Sequence, residues 1–302
     1  MKSKWLLALV LSFPVLALGA DLHVPEEVIG AETAMILNIN INKIKPDQLM
    51  KTMRDITGTP ADDQVKAQVQ QLTDAFKQLG GLSINVVFSV GKDAAKTNPA
   101  DGAILVVEMK DGSAPDKFTE FVNQFPGVKD AVAAECPKAI GGKLVWYSKT
   151  AKLPAANAER AQAFTSAQYE VSDETSLSLI FVPGETTNDL AKTNLQGESA
   201  ELAKAVAGGS GISLSSNFGV ADAPTLKLLF MAADAGAAET IHKALTGMIA
   251  SIKKDAPPEA KNLIDALKAD QVGSNVQFSI GIVDWAKVLV AAFMGGNPGP
   301  KP

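Results

Sequence analysis

Four stretches of this chain alternate apolar and polar residues with a period of two. Met35, Leu37, Ile39 and Ile41 alternate with Ile36, Asn38, Asn40 and Asn42, and Ile84, Val86, Phe88 and Val90 with Ser83, Asn85, Val87 and Ser89. Ile212, Leu214, Ser216 and Phe218 alternate with Ser213, Ser215 and Asn217, and Val276, Phe278, Ile280 and Ile282 with Asn275, Gln277, Ser279 and Gly281. Each pattern predicts a half-buried strand with one apolar face. Ala103–Met109 and Leu226–Ala232 are apolar on both faces, as central strands tend to be. Leu144–Tyr147 and Leu177–Val182 complete the set of strands.

Helical stripes fall between them. Val65, Val69, Leu72, Phe76 and Leu79 form one, with Thr59-Pro60-Ala61-Asp62 ahead of it as a capping signal. Phe118, Phe121, Val122 and Phe125 form a second, opened by Ser113 and Pro115. Ile241, Leu245, Met248, Ile249 and Ile252 form a third and Leu263, Ile264 and Leu267 a fourth, with Pro257-Pro258 between them.

The two halves share one element order, β-α-β-β-α-β, that of the ferredoxin-like split βαβ plait. The expectation is an α+β fold of duplicated βαββαβ units. Their antiparallel sheets would lie side by side or fuse into one, packed on helices on one face. The first unit covers residues 21–150, a connector with an Ala-rich helix over Leu153–Ala167 covers 151–175, and the second unit covers 176–294. Residues 295–302 read as a disordered Gly/Pro-rich tail. Just before it, Val283–Met294 with Trp285 reads as a short apolar helix.

The first residues change the picture most. Lys2 and Lys4 precede an apolar run from Trp5 to Leu18, which ends in Ala17-Leu18-Gly19-Ala20 before Asp21. This is the layout of a secretory signal peptide over residues 1–20, with cleavage near Ala20 and export to the periplasm or beyond. No cysteine stands at the cleavage site, which excludes a lipoprotein anchor, and no later segment is long and apolar enough to span a bilayer. The formal net charge is −5, and losing two leader lysines makes the mature chain more acidic. This balance argues against nucleic acid or anionic membrane as a partner. The single cysteine, Cys136, forbids an intrachain disulfide, and no Asn stands in an Asn-X-Ser/Thr context. Both fit a bacterial envelope protein.

Candidate chemistry is sparse. The two histidines, His23 and His242, have no companion at metal-ligand spacing. Gly208-Gly209-Ser210-Gly211 is no nucleophile elbow, and Ser89…Lys92 and Ser251…Lys254 lack the companion motif of a penicillin-binding site. Gly141-Gly142-Lys143 lacks the upstream glycine of a phosphate loop and precedes a strand where such a loop precedes a helix. No cofactor or metal is implied. A hydrolase with an unidentified carboxylate pair stays open as a minority alternative.

One surface stands out. If one sheet face packs on the helices, the other carries Asn38, Asn40, Asn85, Ser178, Ser215, Asn217, Asn275 and Gln277, with Ile104, Val106, Leu229 and Met231 as an apolar stripe through its middle. Left open, that face is a binding surface for a protein partner, a second copy of the chain, or a small apolar ligand or lipid. The alternative is burial of the stripe beneath the connector helix or against another sheet.

The stretch Ala-Glu-Thr-Ala-Met-Ile-Leu-Asn-Ile-Asn-Ile-Asn-Lys-Ile ending at Ile44, followed by Lys-Pro-Asp-Gln-Leu, resembles exported uncharacterised proteins of planctomycete-type bacteria. Asp265-Ala-Leu-Lys and Asn275-Val-Gln-Phe-Ser resemble their closing strand. The resemblance brings no activity and no functional residues.

Overall fold

The structure is a computed structural model. It describes residues 24–57, 63–90, 103–124, 133, 135–149, 152–169, 175–184, 198–221, 223–255, 261, 264–265, 267–284 and 286. The leader, His23, the 59–62 cap, Lys92, Phe125, the Ile252 side chain, Pro257-Pro258, Leu263, Trp285 and everything from 287 onward lie outside the described residues.

The first half runs β1 (Thr33–Ile39), α1 (Pro46–Thr57), α2 (Asp63–Gln78), β2 (Gly81–Ser89), β3 (Ile104–Met109), α3 (Pro115–Asn123), β4 (Lys138–Ile140) and β5 (Lys143–Tyr147). Then comes α4 (Ala158–Tyr169), in the connector. The second half runs β6 (Leu177–Phe181), α5 (Glu198–Ala207), β7 (Gly211–Ser216), β8 (Thr225–Met231), α6 (Ala235–Asp255), β9 (Ala269–Val272) and β10 (Asn275–Gly281).

The ten strands among the described residues join one sheet, in the order β4-β5-β3-β2-β1-β6-β7-β8-β10-β9, and every neighbouring pair is antiparallel. The α+β class holds, but the plait does not describe the winding. A split βαβ needs a parallel pair reached by a crossover. Here the helix pair α1–α2 sends the chain out and back, so β2 returns antiparallel beside β1.

Each half winds the same way. Counting outward from the centre, the first half lays its strands as β1, β2, β3, β5, β4 and the second as β6, β7, β8, β10, β9. The antiparallel β1–β6 pair, with Asn38 opposite Ser178 and Ile36 opposite Ile180, joins the halves about a local two-fold. Register then matches them residue by residue. The row Asn38, Asn85, Val106, Val145, Lys138 corresponds to Ile180, Ser213, Leu229, Gln277, Asp270. The row Ile36, Val87, Ile104, Tyr147 corresponds to Ser178, Ser215, Lys227, Ser279.

The edge strands β4 and β9 escape the periodicity because three and four residues are too few to show one. Their two-residue turns do show in the sequence, as Gly141-Gly142 and Gly273-Ser274. Gly141, Gly142 and Gly273 take φ of 53°, 76° and 62°, the left-handed region that such hairpins demand.

Helices α1, α2, α3, α5 and α6 cover one sheet face. Phe76 and Phe118 pack on Val107, Leu144 and Trp146, Leu49 on Leu226 and Ile280, and Ile241 on Phe230 and Val276. The expectation of helices on one face alone is corrected by α4, which lies on the other. Its Ala161, Phe164 and Ala167 join Ile36, Val87, Ile104, Val106, Ile180, Leu229 and Met231 in the central core, with Val28 and Ile29 from the first described stretch. Asn157 begins α4 by accepting the Arg160 backbone N–H at its side-chain oxygen, 2.9 Å away, so the helix starts five residues later than the sequence suggests. No helix among the described residues is long and apolar enough to cross a membrane.

Candidate functional site

The proposed open sheet face is mostly covered. Asn38, Asn85, Ile104, Val106, Ser178, Ser215, Leu229 and Met231 are buried, while Asn40, Asn217, Asn275 and Gln277 are half-buried. The stripe Ile104, Val106, Leu229 and Met231 is core beneath α4 and its neighbours, because a stripe that apolar gains most by leaving water.

The buried amides and hydroxyls form an ordered chain across four strands. Asn38 Nδ2 donates to Asn85 Oδ1 at 2.7 Å, and Asn85 Nδ2 to Ser83 Oγ at 3.3 Å. Ser83 Oγ in turn donates to Glu108 Oε2 at 3.0 Å, and Lys143 Nζ lies 3.6 Å from the other Glu108 oxygen. Every donor points toward the carboxylate, so each bond polarises the next. The chain also fixes which way Asn38 faces, turning its oxygen away from Asn85. Asn38 Oδ1, Asn40 Oδ1 and, two strands away, Ser213 Oγ are buried without a hydrogen-bond partner among the described residues.

A second site lies on the helical layer, where the sequence predicts only core. The apolar stripe of α2 does not all turn inward. Phe76 and Thr73 are buried, while Val65 and Leu72 stay 40% and 39% exposed. Successive residues sit about 100° apart on a helix, so burying Thr73 turns Leu72 aside. Thr73 tolerates burial because its hydroxyl donates to the Val69 carbonyl oxygen at 2.8 Å.

Beside the displaced Leu72 runs a trough of about 370 Å³ lined by Gln68, Gln71, Leu72, Ala75, Phe121 and Gln124. Its floor is rigid. Phe121 meets Phe118 edge-on at 6.1 Å, and Phe118 rests on Phe76 at 5.3 Å and on Trp146 at 6.2 Å. α3 brings Phe118 and Phe121 to one side because its N-terminal Pro115 sets the first turn and the two rings stand three residues apart. Among the described residues the lining holds three side-chain amides and no ionisable group. Such a lining can grip a neutral surface through apolar contact and amide hydrogen bonds.

Other reactive groups are spent on structure. The Tyr147 hydroxyl donates to Glu135 Oε1 at 2.8 Å, and this bond, with burial, pushes the Tyr147 pKa up to about 12. The backbone N–H of Glu135 and then the Tyr147 hydroxyl hold the Glu135 carboxyl below its ordinary range. Burial raises the Cys136 thiol, the direction opposite to that of a reactive cysteine. His242 Nε2 lies 2.9 Å from the Ala269 carbonyl oxygen, which ties α6 to β9. Among the described residues no group of three His, Cys, Asp or Glu gathers at metal-binding distance.

Compared with known proteins, the chain matches no family model, no curated protein and no solved structure.

Proposed function

We propose that this chain is an exported, non-catalytic bacterial envelope protein that holds an uncharged amphipathic segment of a protein partner in the trough between α2 and α3. The observation that carries this reading is Leu72, a large apolar side chain left 39% exposed on a helix with a buried threonine in the next position. An apolar strip rimmed by glutamines and set on an aromatic floor has the make-up of a recognition groove.

Two alternatives fit less well. A carrier for a small apolar ligand encloses most of its cargo, whereas this trough is walled by one helix and the end of another. A hydrolase needs a carboxylate pair at its site, and none of the described lining residues is a carboxylate. Export rests on the pattern of residues 1–20. The identical winding of the two halves supports their origin by duplication of one five-stranded unit.

The test places a photo-crosslinking amino acid at Gln71 in the producing cell, with exposed Asp111 as the control position. A discrete adduct from position 71, lost in the Leu72→Glu background while the melting temperature holds, supports the groove. Adduct mass distinguishes a foreign partner from a second copy of the chain. Equal adducts from both positions, or adducts indifferent to Leu72→Glu, defeat the proposal.

A further inference from the structure

Large apolar side chains left in the open gather on one layer. Met53, Val65, Leu72, Met248 and Val272 are exposed among the described residues, and the first four stand on α1, α2 and α6 of the helical face. Leu72 lines the trough. Met248 is 50% exposed and sits toward the other end of the layer, because α6 packs on β8 where α3 packs on β3. Five strand spacings separate β3 from β8, about 24 Å.

The surface of α6 around Met248 suits close approach. Ala244, Gly247, Met248 and Ser251 recur at three and four positions and so share one strip of the helix, on which Gly247, Met248 and Ser251 are exposed. Glycine inside a helix is destabilising relative to alanine. A Cβ at Gly247 would meet nothing within 4 Å, so packing among the described residues gives no reason for the glycine. The approach of another backbone does. From Ala244 to Ile252 the helix carries no charged residue, and the described lining of the trough is equally uncharged.

We propose that the segment held in the trough is α6 of a second copy of this chain, with Met248 seated between Ala75 and Phe121 and Leu72 laid over Gly247. Such a dimer rests on the trough being a recognition groove and supplies its occupant. Large residues of α2 meet small ones of α6, and the reverse holds at Ala75. The Met248 thioether suits an aromatic neighbour, and the Ser251 hydroxyl can bond the amides of Gln68 and Gln71. Within one chain α6 and the trough lie too far apart to meet. Between two chains set helical layer to helical layer about a two-fold axis, each α6 lies over the other's trough, and two equal contacts close the dimer.

Sedimentation equilibrium of the purified full chain, beside Gly247→Leu and Leu72→Glu, tests it. The parent should dimerise, and each variant should weaken the dimer about tenfold or more. Leucine is the better helix former and its Cβ has space, so Gly247→Leu should hold or raise the melting temperature of the monomer. A parent that stays monomeric at its highest soluble concentration, or a dimer indifferent to Gly247→Leu, overturns the second copy as occupant. The groove is judged separately in that case: a Leu72-dependent adduct of a different protein at position 71 keeps it, and the lack of one ends both.

Discussion

The two halves of the sheet wind identically yet treat one of their faces in opposite ways. On the face that carries α4, the first half presents Val145, Tyr147 and Ile104, all buried. The corresponding positions in the second half are Gln277, Ser279 and Lys227, which are half-buried or exposed. The cover, made of Val24, Val28, Ile29, Ala133, Leu153 and α4, extends over the first half and the centre. Among the described residues it thins out beyond β8, where Gln277 is half-buried and Ser279 exposed. Side chains differ where the cover is missing, while the strand order does not. The contrast separates what the fold demands of a position from what its surroundings demand. On the opposite face, where both halves carry helices, Leu37 and Leu179, or Ile84 and Ile212, remain alike.

Val106 and Leu229 are equivalent and both buried, and they offer the harshest test. Val106→Asp and Leu229→Asp should each abolish folding, since an unpaired buried charge costs about 3–5 kcal/mol beyond the lost apolar burial. Far-UV circular dichroism would show it, and a native spectrum from either variant would mean that its half is open after all.

Exchanging residues between halves sharpens the contrast. Val145→Gln should lower stability by about 2–4 kcal/mol by burying an amide without partners. The reciprocal Gln277→Val should stay within about 0.5 kcal/mol. Urea midpoints at constant slope would give both values, and equal costs would erase the distinction between the halves.

Tyr147, which corresponds to exposed Ser279, adds a pH signature to the covered half. Its folded pKa of about 12 lies above the ordinary value of 10, so its contribution to stability is full below pH 10 and fades as pH rises through 12. Ultraviolet titration should find one tyrosine ionising near pH 12, and Glu135→Gln should bring that pKa down. No movement in the variant would place the cause elsewhere.

The smallest effect belongs to the hairpin turns. Gly273→Ala meets no atom within 4 Å but must hold φ at +62°, so it should cost about 1–2 kcal/mol from backbone strain alone. Gly141→Ala carries the same strain and adds a contact at 3.4 Å to Pro25, the cover of the first half. A thermal shift larger for Gly141 than for Gly273 would register that cover.

Much of the fold could be read from the chain. The strands from Thr33, Gly81, Gly211 and Asn275 start within two residues of where alternation puts them. The wide stripe of α2 was legible, but its direction was not. Phe76 and Thr73 won the sheet contact, and Leu72 fell to the flank beside Phe121. Spacing alone cannot tell which edge of an apolar arc will face a neighbouring helix. The buried chain from Asn38 to Glu108 was half visible. Its polar residues stood out, but Glu108 and Lys143 enter only through the pairing of β2 with β3 and of β3 with β5.

The sequence by itself determined which residues share a face, because a strand's side chains alternate and a helix's recur every 3.6 residues. It also determined the repeated order of elements and the glycine turns of the edge hairpins. Only the tertiary structure decided the antiparallel winding and which face would be covered. Those depend on contacts between residues far apart in the chain, such as the bond from Arg160 to the Thr33 carbonyl across 127 positions. No local pattern encodes a contact whose partners meet only after the sheet has formed.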